Sequence, residues 1–302
     1  MKYINPRVRY SVINFFTDLK FRGSDRIANL TSNLLMPAPT GKLVIETIHG
    51  FKIKIDPVVD NGVERKLYRF GSYEKGTLNI LNLFLREGDV FVDVGANIGL
   101  MTVYAATKVG SRGRVLSFEA NPDTKRILDE NVELNRLDNV TTFGFALGSA
   151  AGTSILYSNL SINRGSASLN KLDEQSQQYS IEIRRLDNVQ EAKRDLKLMK
   201  VDVEGWELEV MKGSGSILSS PSAPGLVVEC NTLTSSIGGK TSALYDFIKT
   251  VNSYKVFRLT HGKEKVSKLR EIKTAKDLPA EDNLFCFLPD HIKMLPSNLF
   301  VK

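Results

Sequence analysis

From Val90 onward, short unbroken apolar stretches alternate with segments whose apolar residues recur at helical spacing. The stretches are DVFVDV ending at Val94, RVLSFEA ending at Ala120, VTTFGFALG ending at Gly148, LKLMKVDV ending at Val203, PGLVVECN ending at Asn231, YKVFRLT ending at Thr260 and NLFCFLP ending at Pro289. Between them, IGLMTVYAATKVG reads as a helix closed by Gly110 and PDTKRILDENVELNR as a helix with Pro122 in its first turn, with further helices near Trp206 to Lys212 and Ser242 to Asn252. A strand with no polar face must be covered on both sides. The pattern therefore predicts a mostly parallel sheet between two layers of helices, a doubly wound, Rossmann-like α/β domain.

The chain before Val90 reads differently. Pro37, Pro39 and Gly41 break it, LVIETIHGFKIKIDP alternates apolar and polar residues about His49-Gly50 as a hairpin does, and a helix is expected from Tyr73 to Leu85. Residues 1–85 are expected to form an N-terminal helical and hairpin cap or lid, and residues 86–302 the main domain. Residues 1–36 mix Lys2, Arg7, Arg9, Lys20, Arg22 and Arg26 with Val12, Ile13, Phe15, Phe16, Leu19 and Ile27. That mixture suits a helix lying on a membrane or partner surface, or a cap on the main domain, which is the reading preferred. Ser158 to Ser180 is rich in Ser, Asn, Gln and Gly and has no clear periodicity, and its Asn163, Arg164 and Ser166 to Ser168 are candidate contacts for a sugar-like acceptor; a solvated connector is the other reading.

In an open α/β sheet the first strand and the turn after it usually form the ligand crevice. Here that turn is Asp93-Val94-Gly95-Ala96-Asn97-Ile98-Gly99. A dinucleotide site would want Gly-x-Gly-x-x-Gly, with a pyrophosphate on the helix N-terminus; Asn97 replaces the middle glycine and Asp93 would set a negative charge beside the phosphates. A cofactor bearing a sulfonium and an ammonium fits an acidic turn better, and S-adenosylmethionine is such a cofactor. Asp93 would act on its cationic end electrostatically or through water. Gly95, Ala96, Asn97 and Gly99 would let it approach the backbone. Glu119, ending the next strand, would accept from both ribose hydroxyls, with Ala120 and Ala146 flanking the adenine. The alternative is that Gly95 and Gly99 only make a tight turn and Glu119 only caps the helix at Pro122.

Taken in order, DVGANIGLMTVYAA, FEANPDTKRILDENVELN, FALG and KLMKVDVEGWELEVMKG followed by LVVECN resemble the FkbM family of S-adenosylmethionine-dependent methyltransferases, over about residues 70 to 260. The resemblance implies a class I methyltransferase fold, with a seven-stranded sheet whose last strand is antiparallel. It also implies O-methylation, commonly of a sugar or polyketide hydroxyl, and makes residues 86–302 the methyltransferase domain. Tyr73-Glu74 resembles the Tyr-Glu that precedes the glycine turn in this family, so Glu74 is a candidate cofactor contact; otherwise the pair merely starts a helix.

Methyl transfer to a hydroxyl needs the acceptor aligned with the methyl carbon and a proton acceptor nearby. If Leu196 to Val203 is a strand, its period of two projects Asp202 and Glu204 on one side at its carboxyl end, and repulsion would raise one of their pKa values. Glu229, ending the following strand, lies beside them. Asp202, Glu204 and Glu229 are thus the catalytic candidates, with Asp202 tested first as the base. Asp202, Glu229 and Asn231 are also an oxygen-rich set that could hold Mg²⁺, similar to catechol-type enzymes, but adjacent carboxylates arise without a metal and no metal ligand is assigned. A cofactor-binding protein without turnover is the competing class, and it has no need of several acids at the reactive end.

Bulk composition adds limits rather than chemistry. With 302 residues, 42% hydrophobic, and 41 Lys and Arg against 34 Asp and Glu, the chain is a folded protein of net charge +7. A basic balance favours anionic partners, yet no base-methylating Asn-Pro-Pro-Tyr-like motif and no aromatic platform along a basic stripe is present, so a small-molecule or glycan acceptor is expected and nucleic acid is not. Cys230 and Cys286 lie in apolar runs and read as free thiols. With no transmembrane segment and no signal-like stretch, a cytoplasmic location is the expectation.

Overall fold

Seven apolar stretches with no polar face need a layer on each side, and the fold supplies both. The computed structural model describes residues 6–19, 23–158, 164, 176–193, 195–231 and 241–301. Its elements run α1 (Pro6–Asp18), α2 (Ser24–Leu35), β1 (Leu43–Glu46), β2 (Lys52–Ile55), α3 (Val63–Phe70), α4 (Lys75–Phe84), β3 (Val90–Val94), α5 (Leu100–Val109), β4 (Arg114–Phe118), α6 (Pro122–Leu134), β5 (Val140–Phe143), β6 (Ala146–Leu147), β7 (Gly152–Ser158) and β8 (Gln177–Arg184). They continue with β9 (Leu198–Val201), α7 (Glu207–Gly213), α8 (Gly215–Leu218), β10 (Gly225–Asn231), α9 (Thr241–Val251), β11 (Lys255–Leu259), β12 (Leu269–Ile272), β13 (Glu281–Phe287) and α10 (Pro289–Met294).

Among the described residues the main sheet has eight strands in the order β12-β11-β13-β10-β9-β3-β4-β5. The neighbours from β10 to β5 are parallel, and β13 enters antiparallel between β10 and β11. The count is one more than the seven expected, because the polar LREI stretch of β12 pairs with the outside of β11. A second departure is VTTFGFALG, expected as one strand. Its first part pairs with β4 only as far as Phe118↔Phe143; with β4 finished, Ala146 and Leu147 turn away and pair with β8 in a separate three-stranded sheet. Of the polar stretch expected to bind the acceptor, Asn163 and Ser166 to Ser168 lie outside the described residues.

Alternate residues of each strand enter two different cores. Phe91, Val115, Leu198, Val227 and Phe285 face one cluster, Val92, Leu116, Met199, Val228 and Leu284 the other. The first cluster also holds Ile53 and Ile55 of the hairpin, Leu67 of α3 and Leu81 and Phe84 of α4. The segment expected as a cap therefore shares apolar packing with the sheet. Fully burying side chains of this size stabilises by about 1.5–3 kcal/mol each.

The hairpin is fastened to α6 by a device that imitates a strand. Backbone groups of Lys52 and Lys54 face outward from β2, two residues apart, and the amides of Asn135 and Asn131, one helical turn apart, meet them. Lys52 N–H donates to Asn135 Oδ1 (2.9 Å) and Asn135 Nδ2 to Lys52 O (2.7 Å). Lys54 N–H donates to Asn131 Oδ1 (2.6 Å) and Asn131 Nδ2 to Lys54 O (3.3 Å). An edge that would otherwise expose unpaired groups is closed. Asn131 Nδ2 also donates to Ile98 O (2.8 Å), which ties the hairpin to the glycine turn.

Candidate active site

After β3 the chain winds outward to β4 and β5, then returns to build β9 and β10 on the other side. This reversal opens a crevice at the carboxyl end of β3. The structure has a cavity of about 340 Å³ there, lined by residues from the tips of β3, β4, β9 and β10 and from the Tyr73-Glu74 segment.

The glycine turn forms because β3 ends against two neighbours. Gly95 and Ala96 N–H both donate to Phe118 O (2.9 and 3.0 Å), and Asp202 N–H donates to Val94 O (3.0 Å). Gly95 has φ 77°, and a Cβ there would stand 1.8 Å from Asp202 O. Gly99 has φ 93°, and its Cβ would meet Leu128 Cδ1 at 2.6 Å. These contacts correct the expectation that both glycines make room for a ligand. Gly95 lines the cavity but its missing side chain admits the β9 backbone, and Gly99 is absent from the lining and packs against α6. Asn97 takes the left-handed conformation (φ 51°) that a glycine would otherwise supply.

Glu119 sits where the sequence places it. Its Oε2 accepts from Asn97 N–H and its Oε1 from Asn121 N–H, both at 2.9 Å, so the carboxyl is fixed across the turn. Burial, opposed by these two donors, pushes it up to about 7. It does not cap α6; Asn121 does, its side chain accepting from Asp123 and Thr124 N–H. Ala120 and Ala146 line the same wall.

Asp93 is fully buried, opposite Lys200 in the β3–β9 register, and its Oδ2 accepts from Thr102 Oγ1 (2.6 Å). Burial raises its pKa against Lys200 and Thr102. Its Oδ1 has no hydrogen-bond partner among the described residues although it is buried, nor has the indole N–H of Trp206, another lining residue. Orphaned polar atoms at a cavity wall are costly unless something that binds there meets them.

The reactive end differs from its expectation in cause rather than in place. β9 stops at Val201, so no strand period aligns Asp202 with Glu204. A tight turn does it, with Glu204 at φ 50° and Gly205 at φ 93°. Carboxylate oxygens of Asp202, Glu204 and Glu229 all lie within 4.8 Å of one another. Glu207, not Glu204, accepts the turn's Val203 and Gly205 N–H groups, leaving Glu204 at the cavity wall.

Two lysines balance these acids. Lys200 Nζ meets Asp202 at 2.8 Å, and Lys263 Nζ bridges Glu229 (2.9 Å) and Glu74 (3.2 Å). Asp202 therefore does not have the raised pKa of a base. Burial would lift it, but Lys200 and Lys263 hold it down at about 2. Burial and the Asp202 charge instead push Glu204 up to about 8 and Glu229 to about 9. Glu229 Oε2 is buried without a donor facing it; a proton on that oxygen, given to Asp202, removes the orphan. Glu74, 1% exposed, is the N-cap residue of α4 and also lines the cavity. Asn231, named with Asp202 and Glu229 as a possible magnesium set, is not among the lining residues, and the carboxyls that converge are Asp202, Glu204 and Glu229. In the set that does converge, two ammoniums already meet the acids.

Sequence reading missed both lysines. Lys200 left a signal, a charged residue inside an otherwise apolar strand; Lys263, in the loop after β11, left none. Arg164, named only as a loop donor, is buried against α3, with Nε 2.7 Å from Glu64 Oε1 and its N–H on Asp60, and it lines the cavity too.

Comparison with known proteins finds relatives named as methyltransferases. Over 153 residues the chain is 33% identical to the hexuronic acid methyltransferase AglP of Haloferax volcanii, a match covering 48% of this chain and 59% of that protein. It is 31% identical over 160 residues to the methyltransferase sdnD of Sordaria araneosa, covering 43% and 61%. The chain thus spans about three fifths of the length of these relatives. The crystal structure of a methyltransferase FkbM from Methylobacillus flagellatus aligns over 93% of this chain and 58% of that one, at 13% identity and a TM-score of 0.42. The model of the methyltransferase FkbM domain matches residues 93–259, from Asp93 of the glycine turn to the end of β11 and so more than half of the chain, which belongs to this family.

Proposed function

We propose that the chain is an S-adenosylmethionine-dependent O-methyltransferase whose acceptor is a hydroxyl of a saccharide or polyketide-like metabolite. The observation that carries the proposal is one cavity with a fixed carboxyl at one end, Glu119, and three converging carboxyls at the other. The residues present suit the cofactor. Glu119 keeps lone pairs for the ribose hydroxyls, Asp93 Oδ1 offers a buried acceptor toward an ammonium or a bridging water, and Ala120 and Ala146 leave a flat wall for adenine. When bound, the cofactor would supply an electrophilic methyl group. A relative named for hexuronic acid favours the saccharide choice.

The chain's own part in the chemistry is proton handling. Glu204 is the best placed base: it lines the cavity, its carboxylate converges with those of Asp202 and Glu229, and its pKa near 8 makes its ionised form a stronger base than Asp202. Asp202 stays charged and, with Lys200, holds the field that sets Glu204 and Glu229. Lys263 binds Glu74 to Glu229, so the wall over the cofactor and the reactive end are positioned together. Because two ammoniums occupy the acid set, turnover should be insensitive to chelators. Titration calorimetry with S-adenosylmethionine tests the reading. Binding should be lost or weakened at least about tenfold in Glu119→Ala, and transfer of labelled methyl to saccharide fractions should follow; unaltered affinity in Glu119→Ala and Asp93→Ala together sinks the cofactor assignment.

A further inference from the structure

The N-terminal helix pair carries apolar residues that no core uses. On α1, Val8, Val12 and Phe15 follow one another at i, i+4 and i+7, while Tyr10, Ile13 and Asn14 on the opposite face are buried. On α2, Ile27, Leu30 and Leu34 form a second stripe, with Ala28 and Ser32 turned inward. Phe15 is 63% exposed, Leu30 70% and Leu34 64%. Such a concentration of large apolar side chains in solvent marks an interaction surface.

The inward faces are firmly attached. Tyr10 Oη donates to Tyr68 O, Asn14 Nδ2 to Phe70 O, and Arg69 donates to Asn29 O, Ser32 Oγ and Asn33 Oδ1. The stripes therefore point outward because the other faces are committed to α3. Neither helix belongs to the cavity wall.

Charge says what covers them. Residues 1–36 hold six Lys and Arg against two Asp, so this short segment carries four of the chain's seven net positive charges. On the helical wheel Arg7 and Arg9 lie about 100° to either side of the α1 stripe, Arg7 pairing with Glu46 while staying largely exposed and Arg9 with its Nε buried, and Arg26 lies beside the α2 stripe. An apolar stripe edged by arginines is what the boundary of an anionic bilayer accepts, with the apolar side chains below the headgroups and the cations among them. At 13 and 12 residues the helices are far too short to span, and no helix among the described residues is long and apolar enough to cross a membrane.

We infer that α1 and α2 form a membrane-surface anchor whose partner is the face of an anionic phospholipid bilayer. The inference is independent of the methyl-transfer reading, since it uses no residue of the cavity. Vesicle flotation of the full chain tests it. Binding to phosphatidylcholine vesicles containing phosphatidylglycerol should exceed binding to phosphatidylcholine alone by roughly tenfold or more, and should fall in high salt. Joint replacement Phe15→Ser, Leu30→Ser and Leu34→Ser should abolish it while circular dichroism and cofactor affinity stay unchanged. If that variant fails to fold, Phe15→Trp in otherwise intact protein gives a second readout: its emission should shift to the blue on adding anionic vesicles. Equal flotation with neutral and anionic vesicles, or emission unmoved by either, overturns the inference. So does a concentration-dependent dimer that the triple replacement dissolves, which would make a second copy of the chain the occupant.

Discussion

The two ends of the cavity are held by different physics. At the glycine turn, position is set by backbone: three residues in the left-handed region, a bifurcated Phe118 carbonyl, and a Glu119 carboxyl fixed by two N–H groups. At the acid end, position is set by charge between long side chains brought together from four segments of the chain, Glu74, Lys200 to Glu204, Glu229 and Lys263. A backbone-built end is rigid, held by N–H groups that do not titrate even though the Glu119 carboxyl they fix has a pKa pushed up to about 7. A charge-built end can change state as protons come and go, which suits the end where a proton must move.

The largest predicted effect breaks the rigid end. Gly95→Ala would need a left-handed alanine with its Cβ inside the Asp202 carbonyl, so the turn must leave β9; a loss of more than about 3 kcal/mol is expected. Thermal melting should show it, together with loss of cofactor binding, and a near-normal melting point would mean the turn has slack that its contacts do not suggest. At the other end, Glu204→Gln should keep the fold and the cofactor affinity but lower turnover by roughly 10²- to 10⁴-fold. An equal fall in affinity would show that Glu204 holds ligand rather than a proton.

The difference between the ends also explains what could be read from sequence. Asp93, Gly95, Asn97 and Glu119 are close in the chain, and their positions follow from local backbone rules, so their placement along one wall of the cavity was legible even though the reason for each glycine was not. The convergence of Asp202, Glu204 and Glu229 was legible as a coincidence of strand tips. Which of them is held protonated was not, because Lys263 reaches Glu74 across 189 positions of chain and nothing local announces it. Likewise the succession of strands along the chain followed from apolar runs, whereas β12, short and polar, became a strand only because β11 offered it an edge.

A smaller effect sharpens the contrast through pH. Glu204 and Glu229 have pKa values of about 8 and 9 in the fold, well above ordinary glutamate. A carboxyl raised on folding binds its proton more tightly in the native state, so its contribution is fully present below the unfolded value near 4.3 and is lost as pH rises through the folded value. The melting temperature should therefore decline between about pH 5 and pH 9 by several degrees. Turnover should rise over the upper part of that range as Glu204 loses its proton. In Glu204→Gln the decline should be shallower; a wild-type profile flat to pH 9 would remove the charged cluster as a proton store.

The smallest effect asks whether the ends are separable. Asn135→Ala removes two hydrogen bonds between α6 and the backbone of Lys52, an exposed residue whose N–H and C=O can turn to water instead. The cost should be about 1 kcal/mol, a drop of roughly 2–4 °C in melting temperature. Asn131 keeps its own bonds to Lys54 and Ile98, so the glycine turn stays tied to the hairpin and cofactor affinity should change little. What matters most is the pH dependence of turnover, which should stay superimposable on that of the unaltered chain. The clasp touches only the backbone-built side, and no charge moves when it is cut. A shifted profile would mean that loosening the hairpin reaches Glu204 and Glu229 through the shared apolar core, and the cavity would then be one coupled unit instead of a rigid wall facing a titratable one.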